Sequence, residues 1–277
     1  LFQEKSLEFY QGDVTSFIFP EGAFAYVIHA ATEASDNLNQ HQPQVMFDSV
    51  VEGSARVLEF ARLAKVKACL FVSSGAVYGK QPFDLLKMPE EYLEKAVPLE
   101  DKPSAYAAGK RAAEKLCQQY AEEHHLNIKI ARCFAFVGPH LPLDAHFAIG
   151  NFIRDGLQGG PIRVLGDGTS YRSYLYAADL VIWLWTILFR GQTMRPYNVG
   201  SEESLTIKEL AHLVGEIVAP AVEVQVGKIL SREPAERYVP DISRAKQELG
   251  LRVHMNLKQA IHLTKAWNLK HGKATTS

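Results

Sequence analysis

The sequence predicts an α/β fold: a doubly wound parallel sheet joined to a smaller C-terminal α+β part. Three observations predict it. Up to Pro139, compact apolar runs of strand length alternate with segments of helical spacing. That alternation calls for a parallel sheet with right-handed crossovers. The 277 residues, 47% hydrophobic and 22% charged, suffice for one large α/β domain or two unequal ones. Past Pro139 the rhythm turns irregular, as expected of a segment that caps the carboxyl ends of the strands, where such sheets hold ligands.

Each element has its own signal. SLEFYQGDV (6–14) reads as a short strand with Leu7 and Phe9 on one face, then a turn, then Asp13. FAYVIHAAT (24–32) is a buried strand that ends in small residues and feeds a loop. Residues 43–66 place Val50, Val57, Leu58, Phe60 and Ala61 at helical spacing, and ACLFVSS (68–74) is the next buried strand. Residues 104–124, rich in Ala, Glu, Lys and Gln, form a strong helix with Ser104 as N-cap. NIKIARCFAFVGP (127–139) is a strand stopped by Gly138 and Pro139. Beyond it come a helix in HFAIGNFIRDGLQGG, a short strand in PIRVLGDG and a buried helix in YAADLVIWLWTIL. A strand in PYNVGS follows, then helices in TIKELAHLVGEIV, ISRAKQELG and NLKQAIHLTKAWN.

Bulk chemistry narrows the function classes. A net charge of −1 offers no footprint for nucleic acid or an anionic membrane surface. The longest apolar run, Leu180 to Phe189, is too short to span a bilayer, and the charged start shows no secretory signal. Cys69, Cys117 and Cys133 are odd in number and form no CxxC, so buried free thiols in a reduced, cytoplasmic setting are expected. The ten histidines make no ligand pattern; His124 and His125 read as surface residues, and no metal is expected.

The chemistry-bearing residues lie on either side of one loop. Tyr106 and Lys110 are four apart on a helix and share a face. A free phenol is a poor base at neutral pH, and a neighbouring ammonium favours the phenolate. Such a tyrosine exchanges a proton with an alcohol while a cofactor exchanges hydride. Upstream, SSGAVYG puts Ser73, Ser74 and Tyr78 at the carboxyl edge of a strand, where a serine hydrogen-bonds the oxygen that Tyr106 protonates.

Strand-Ser-Ser-x-x-x-Tyr-Gly followed by Tyr-x-x-x-Lys resembles the extended short-chain dehydrogenase/reductase family, in its nucleotide-sugar epimerase, dehydratase and ketoreductase branch. The resemblance implies a Rossmann-type sheet, NAD or NADP as cofactor, a nucleotide-sugar substrate, and catalysis by Ser74, Tyr106 and Lys110. It assigns Asp13, His29, Ala30, Ala31 and Ser73, with Tyr106 and Lys110, to the cofactor. It assigns Tyr78, Asn151, Arg172 and Arg232 to the substrate, the arginines suiting phosphate oxygens. It divides the chain into a dinucleotide-binding domain, 1–139, to which 172–200 returns, and a substrate-binding domain, 140–171 with 201–277. It further implies a homodimer through the helices at 44–64 and 104–124, whose small residues Ala108, Ala112 and Ala113 permit close approach.

Departures from the family pattern refine the chemistry. Gly75 and Ala76 stand where 4,6-dehydratases carry an Asp-Glu pair, and no decarboxylase-type glutamate precedes V-Y-G. The remaining set favours a 4-epimerase or 4-ketoreductase. The alternatives are a dTDP-glucose 4,6-dehydratase-like enzyme with relocated acid/base residues and a non-catalytic dinucleotide-binding protein. Val50 and Ala135 replace two family asparagines. No G-x-x-G-x-x-G or G-x-G-x-x-G occurs in the chain. Residues 6–14 are therefore expected to be the third strand of an N-terminally truncated sheet, with roughly thirty or more residues of a βαβ unit absent. An exposed sheet edge and weak dinucleotide binding by the chain as it stands follow from that expectation.

Overall fold

The computed structural model of the protein describes residues 7–32, 35–95, 104–227 and 234–271. In the first half it contains β1 (Tyr26–His29), α1 (Asp36–His41), α2 (Pro43–Leu63), β2 (Ala68–Ser74), α3 (Ala105–His124) and β3 (Ile128–Cys133). Then follow β4 (Phe136–Val137), α4 (Ala148–Leu157), β5 (Ile162–Val164), β6 (Tyr171–Ser173), β7 (Leu175–Tyr176), α5 (Ala177–Arg190) and β8 (Pro196–Val199). The chain ends through β9 (Ser204–Thr206), α6 (Ile207–Val218), β10 (Val224–Val226), β11 (Arg237–Tyr238), α7 (Ser243–Leu249) and α8 (Leu257–His271).

Strands β1, β2, β3 and β8 form one all-parallel sheet in that order. Its faces are covered by different helices, because strands apolar on both sides must be buried on both. On one face α2 and α3 pack Met46, Val50, Leu58 and Cys117 against Phe71 and Ile128. Gly109 lets these two helices approach: a Cβ there would lie 3.1 Å from Val50 Cβ. On the other face α5 and α7 bring Trp183, Ile187, Ala245 and Leu249 onto Leu70, Ala131 and Tyr197. The expected doubly wound α/β sheet is present.

A second core lies under α4, α6 and α8, where Ile149, Ile153, Leu210, Val214 and Ile261 enclose Ile162. Short strands accompany it: β10 pairs with β5, β4 with β7, and β11 and β9 flank β6. A capping box fixes the start of α6, with Thr206 Oγ1 accepting from Glu209 N and the Glu209 carboxylate accepting from Thr206 N. This is the smaller α+β part.

Four expectations need correction. Residues 7–13 form no strand, and Leu7 and Phe9, expected on one strand face, are both exposed. The segment after them packs on α2 instead, with Phe17 and Phe19 against Phe60 and the Arg56 guanidinium donating to Phe17 O at 2.7 Å. Helix α5 is buried on one face only; Val181, Ile182, Trp185 and Phe189 are about half exposed, and Phe189 meets Tyr26 of β1 edge-to-face, with centroids 4.9 Å apart. Strand β1 pairs on one side only among the described residues, so the expected open edge lies here. Residues 242–251, assigned from the sequence to the smaller part, pack through Ile242, Ala245, Leu249 and Leu251 on the main sheet. Finally, Cys69 and Cys117 are buried free thiols as expected, but Cys133, the last residue of β3, is only partly buried.

One rung of the sheet carries polar residues through the interior. Ser73, Arg132 and Asn198 are register partners on β2, β3 and β8. Arg132 holds the Glu114 carboxylate of α3 at both oxygens, at 3.0 and 2.7 Å, and Ser73 Oγ donates to the same carboxylate at 2.6 Å. Arg132 also donates to Tyr78 Oη, which donates to Asn198 Oδ1; Asn198 Nδ2 in turn reaches the carbonyls of Met88 and Asp241. Every member is satisfied by another, so the network tolerates burial that a lone ion would not. Glu114→Ala, which strands the Arg132 charge, should cost about 3–5 kcal/mol in urea unfolding. Ser73→Ala, which removes one hydrogen bond, should cost about 1 kcal/mol.

Candidate active site

The ends of β1, β2 and β3 converge on the first turn and a half of α3. Helix α3 starts where its orphan N–H groups find acceptors: Ser104 Oγ takes Ala107 N at 3.2 Å and Asn39 Oδ1 takes Tyr106 N at 3.0 Å. Tyr106 is thereby held on the first turn and Lys110 one turn on. Ser74 ends β2 and caps a one-turn 3-10 helix, Gly75–Tyr78, by accepting from Ala76 N at 3.2 Å. The Ser74 side chain lies close enough to the Tyr106 phenol to favour its ionised form. Cys133, at the end of β3, lies beside both Tyr106 and Lys110. The structure therefore brings Ser74, Tyr106 and Lys110 together.

The electrostatics differ from the sequence expectation. Lys110 is only 3% exposed, and burial pushes its ammonium down to about 8, against the opposing effects of Cys133 and Glu114. Its Nζ donates to Thr32 Oγ1 at 3.0 Å and to the Val72 carbonyl at 2.9 Å, over the ring of Phe71. It lies 5.8 Å from the centre of the Tyr106 ring. The Tyr106 phenol is raised, not lowered: burial outweighs the effect of the nearby Ser74 side chain. Burial likewise pushes the Cys133 thiol up to about 12, which keeps it protonated at neutral pH.

His29 closes the floor of the site. Its Nε2 lies 3.0 Å from Ser54 Oγ, and that hydroxyl donates to the Val50 carbonyl at 2.7 Å. A hydroxyl that spends its one proton must accept from the imidazole. His29 therefore carries its proton on Nε2 and presents Nδ1 as an acceptor, buried and without a partner among the described residues. Burial, then the Lys110 charge, pushes the imidazole down to about 4. Ala30 and Ala31 follow it and are exposed.

The other residues singled out in the sequence fall in several places. Ser73 and Tyr78 belong to the buried network, and Tyr78 is 1% exposed with its hydroxyl fully engaged, so neither faces the site as expected. Asp13 is exposed and accepts from Thr15 N at 2.8 Å, a hydrogen-bonding turn that holds its carboxyl below the usual range. Asn151 sits half-buried on α4, where Oδ1 accepts from Arg154. Arg172 of β6 donates to its neighbour's carbonyl and lies 3.7 Å from Glu236. Arg232 lies outside the described residues. Two site residues carried no sequence signal of their own. Thr32 ends the run HAAT, where its position after the strand could have marked it. Tyr238 comes from β11, and its hydroxyl overhangs Gly75, next to Ser74, a placement that only the tertiary fold creates.

The sequence profile of the NAD dependent epimerase/dehydratase family matches residues 2–200. The chain belongs to that family. Its cofactor is accordingly NAD or NADP. UDP-glucuronic acid decarboxylase 6 of Arabidopsis thaliana is 33% identical over 258 residues, 92% of this chain and 72% of that relative. The UDP-glucose 4-epimerase of Thermotoga maritima, solved with UDP-glucose, superposes with a TM-score of 0.78 at 25% identity, covering 89% of this chain and 77% of the other. The UDP-glucose 4-epimerase of Thermus thermophilus, solved with NAD, gives 0.75 at 26%, covering 88% and 77%. The residues present fit part of a dinucleotide: His29 offers a buried, unpartnered Nδ1, and the small Ala30 and Ala31 after it are exposed. No glycine-rich loop in this sequence supplies donors for the diphosphate. No helix of the described residues is long and apolar enough to cross a membrane, and no group of three or more His, Cys, Asp or Glu among them is placed to hold a metal ion.

The depressed His29 makes stability pH-dependent in a definite direction. Unfolded, the imidazole takes a proton near its ordinary 6.5; folded, only near 4. Its contribution is complete above pH 6.5 and is lost as pH falls through 4, to the extent of roughly 3 kcal/mol. Urea unfolding at pH 7 and pH 4 should show this loss in the wild type, and His29→Asn should show that much less of it.

Proposed function

We propose that the chain, an NAD(P)-dependent enzyme of nucleotide-sugar metabolism by family, performs redox at C4 of a nucleotide-activated hexose, as a 4-epimerase or 4-ketoreductase. The observation that carries this reading is the Ser74–Tyr106 proximity beside Lys110, followed by Gly75 and Ala76 where a dehydrating enzyme needs two carboxyl groups. Glu114, one turn beyond Lys110, is committed to Arg132 and Ser73. Among the described residues, then, no second acid stands in sequence beside Ser74 to expel a hydroxyl.

Bound NAD or NADP would supply hydride exchange at C4, removed and returned in a 4-epimerase or given by the reduced cofactor in a 4-ketoreductase. Tyr106 takes the C4 hydroxyl proton as the ketone forms and restores it on reduction. Ser74 orients that oxygen, and Lys110 supplies positive charge beneath the phenol. His29, Ala30 and Ala31 would border the nicotinamide end, with Asp13 toward the adenine. Asn151, Arg172 and Arg232 would hold the diphosphate of the sugar nucleotide, a geometry that suits guanidinium groups. A homodimer through α2 and α3 belongs to the same reading. Ala113 is buried in the protomer core, which leaves Ala108 and Ala112 for that surface.

A second reading, decarboxylation of a nucleotide-activated uronic acid, is favoured by the 33% identity to a protein of that name. It shares the C4 oxidation, which turns a C5 carboxylate into that of a β-keto acid. Ala76 stands where the resemblance places the decarboxylase glutamate, which favours the first reading.

A panel of dTDP-, UDP-, GDP- and CDP-hexoses with UDP-glucuronic acid separates the two. The C4 reading expects an epimer or a reduced sugar, and Tyr106→Phe should lower turnover by about 100-fold or more. Release of carbon dioxide from the uronic acid would move the assignment to the second reading. Turnover of no sugar, or full activity in Tyr106→Phe, would sink the first.

A further inference from the structure

Lys110 is a buried cation whose nearest carboxylate on its own helix is already taken. It is 3% exposed, and the Phe71 ring lies under it with its centre 5.0 Å from Nζ. Glu114, one turn on, is bound by Arg132 and Ser73. An ammonium in such a place is held by neutral acceptors or gives up its proton. Two acceptors meet it: the Val72 carbonyl takes one N–H at 2.9 Å, and Thr32 Oγ1 takes another at 3.0 Å.

These acceptors come from two strands that have just parted. Strand β1 pairs with β2 as far as His29, opposite Phe71. Val72 is the next residue of β2, and Thr32 lies three residues beyond the end of β1. An ammonium has three donors, and the two bonds use one on each side of the gap. The Val72 acceptor is backbone and present whatever side chain stands there. The Thr32 acceptor exists only because residue 32 carries a hydroxyl. We propose that Thr32 is a positioning residue for proton transfer: its hydroxyl accepts from Lys110 Nζ and holds the ammonium between the ends of β1 and β2, one helical turn from Tyr106. This rests on the reading of Lys110 as the cation beneath the phenol.

The hydroxyl governs charge as well as place. Burial lowers Lys110 to about 8, so its ammonium survives at neutral pH only narrowly. A hydrogen bond to the charged form favours that form, and one made by an ion is about twice as strong as a neutral one. The titratable groups around Nζ are His29 of β1, Cys133 of β3, and Tyr106, Glu114 and Cys117 of α3. At pH 7 burial keeps His29, both thiols and the phenol uncharged, and the Glu114 charge is shared with Arg132. None of them replaces the Thr32 oxygen.

The test uses the full chain with 13C at lysine Cε, the Lys110 resonance being assigned by its loss in Lys110→Met. Thr32→Val keeps the shape of the side chain and removes the hydroxyl. It is expected to lower the Lys110 titration midpoint by about one pH unit, tenfold in the ionisation constant. Thr32→Ser, which keeps the hydroxyl, should hold the wild-type midpoint. A threonine that served packing alone would give the reverse order, because valine fills its place better than serine does. An unchanged midpoint in Thr32→Val, or an equal drop in Thr32→Ser, would overturn the proposal. On any sugar that the panel identifies, the alkaline limb of kcat/KM should move down with the midpoint in Thr32→Val, because a neutral lysine no longer supports the phenolate. A limb that stays in place while the midpoint moves would overturn it too. A panel without turnover would sink the C4 reading alone, and the titration would still decide the role of Thr32.

Discussion

A guanidinium buried between the sheet and α3 sets the geometry of everything above it. Arg132 satisfies the Glu114 carboxylate at both oxygens and holds Tyr78, while Asn198 ties that phenol to the loop carbonyls of Met88 and Asp241. A buried ion pair of this kind gains little over apolar packing, but losing one partner is costly. The carboxylate therefore has one place to be. Glu114 lies one turn beyond Lys110, so the pair fixes the rotation of α3 against the sheet. Tyr106 and Lys110 then face the ends of β1, β2 and β3.

Above this anchor the described titrating groups are mostly buried. Burial works on each titrating group in the direction that removes charge: it lowers His29 and Lys110 and raises Tyr106, Tyr238 and Cys133. Among them, Tyr106 alone combines the nearby Ser74 side chain with a neighbouring ammonium on its own helix. The second layer contributes through β11, which delivers Tyr238 over Gly75, next to Ser74, and pairs with the strand of Arg172.

Much of this was legible in the residues. The alternation of apolar runs with helical spacing placed β2 at Ala68–Ser74 and α3 just after Ser104, because a Ser N-cap and an Ala-rich run are local signals. Residues 7–13 and α5 were misjudged for one shared reason. A strand needs a partner and an apolar helix face needs a cover, and neither is written in the segment itself. Ser73 and Tyr78 were expected at the site because they flank Ser74 in sequence. A period of two along β2 and a one-turn helix after it turn them inward instead, to Glu114 and Asn198.

By itself the sequence determined the fold class, the family motifs and the presence of a Ser, Tyr and Lys at spacings that put them on one strand end and one helix face. Those are local facts, set by periodicities of two and 3.6 and by capping chemistry. Only the tertiary structure decided where the charges point. It turned Lys110 toward Thr32 and Val72, made His29 a buried acceptor and carried Tyr238 across from a distant segment to Gly75, next to Ser74. The physical reason is burial. Removing water from these groups makes their hydrogen-bond partners decisive, and those partners come from residues far apart in the chain.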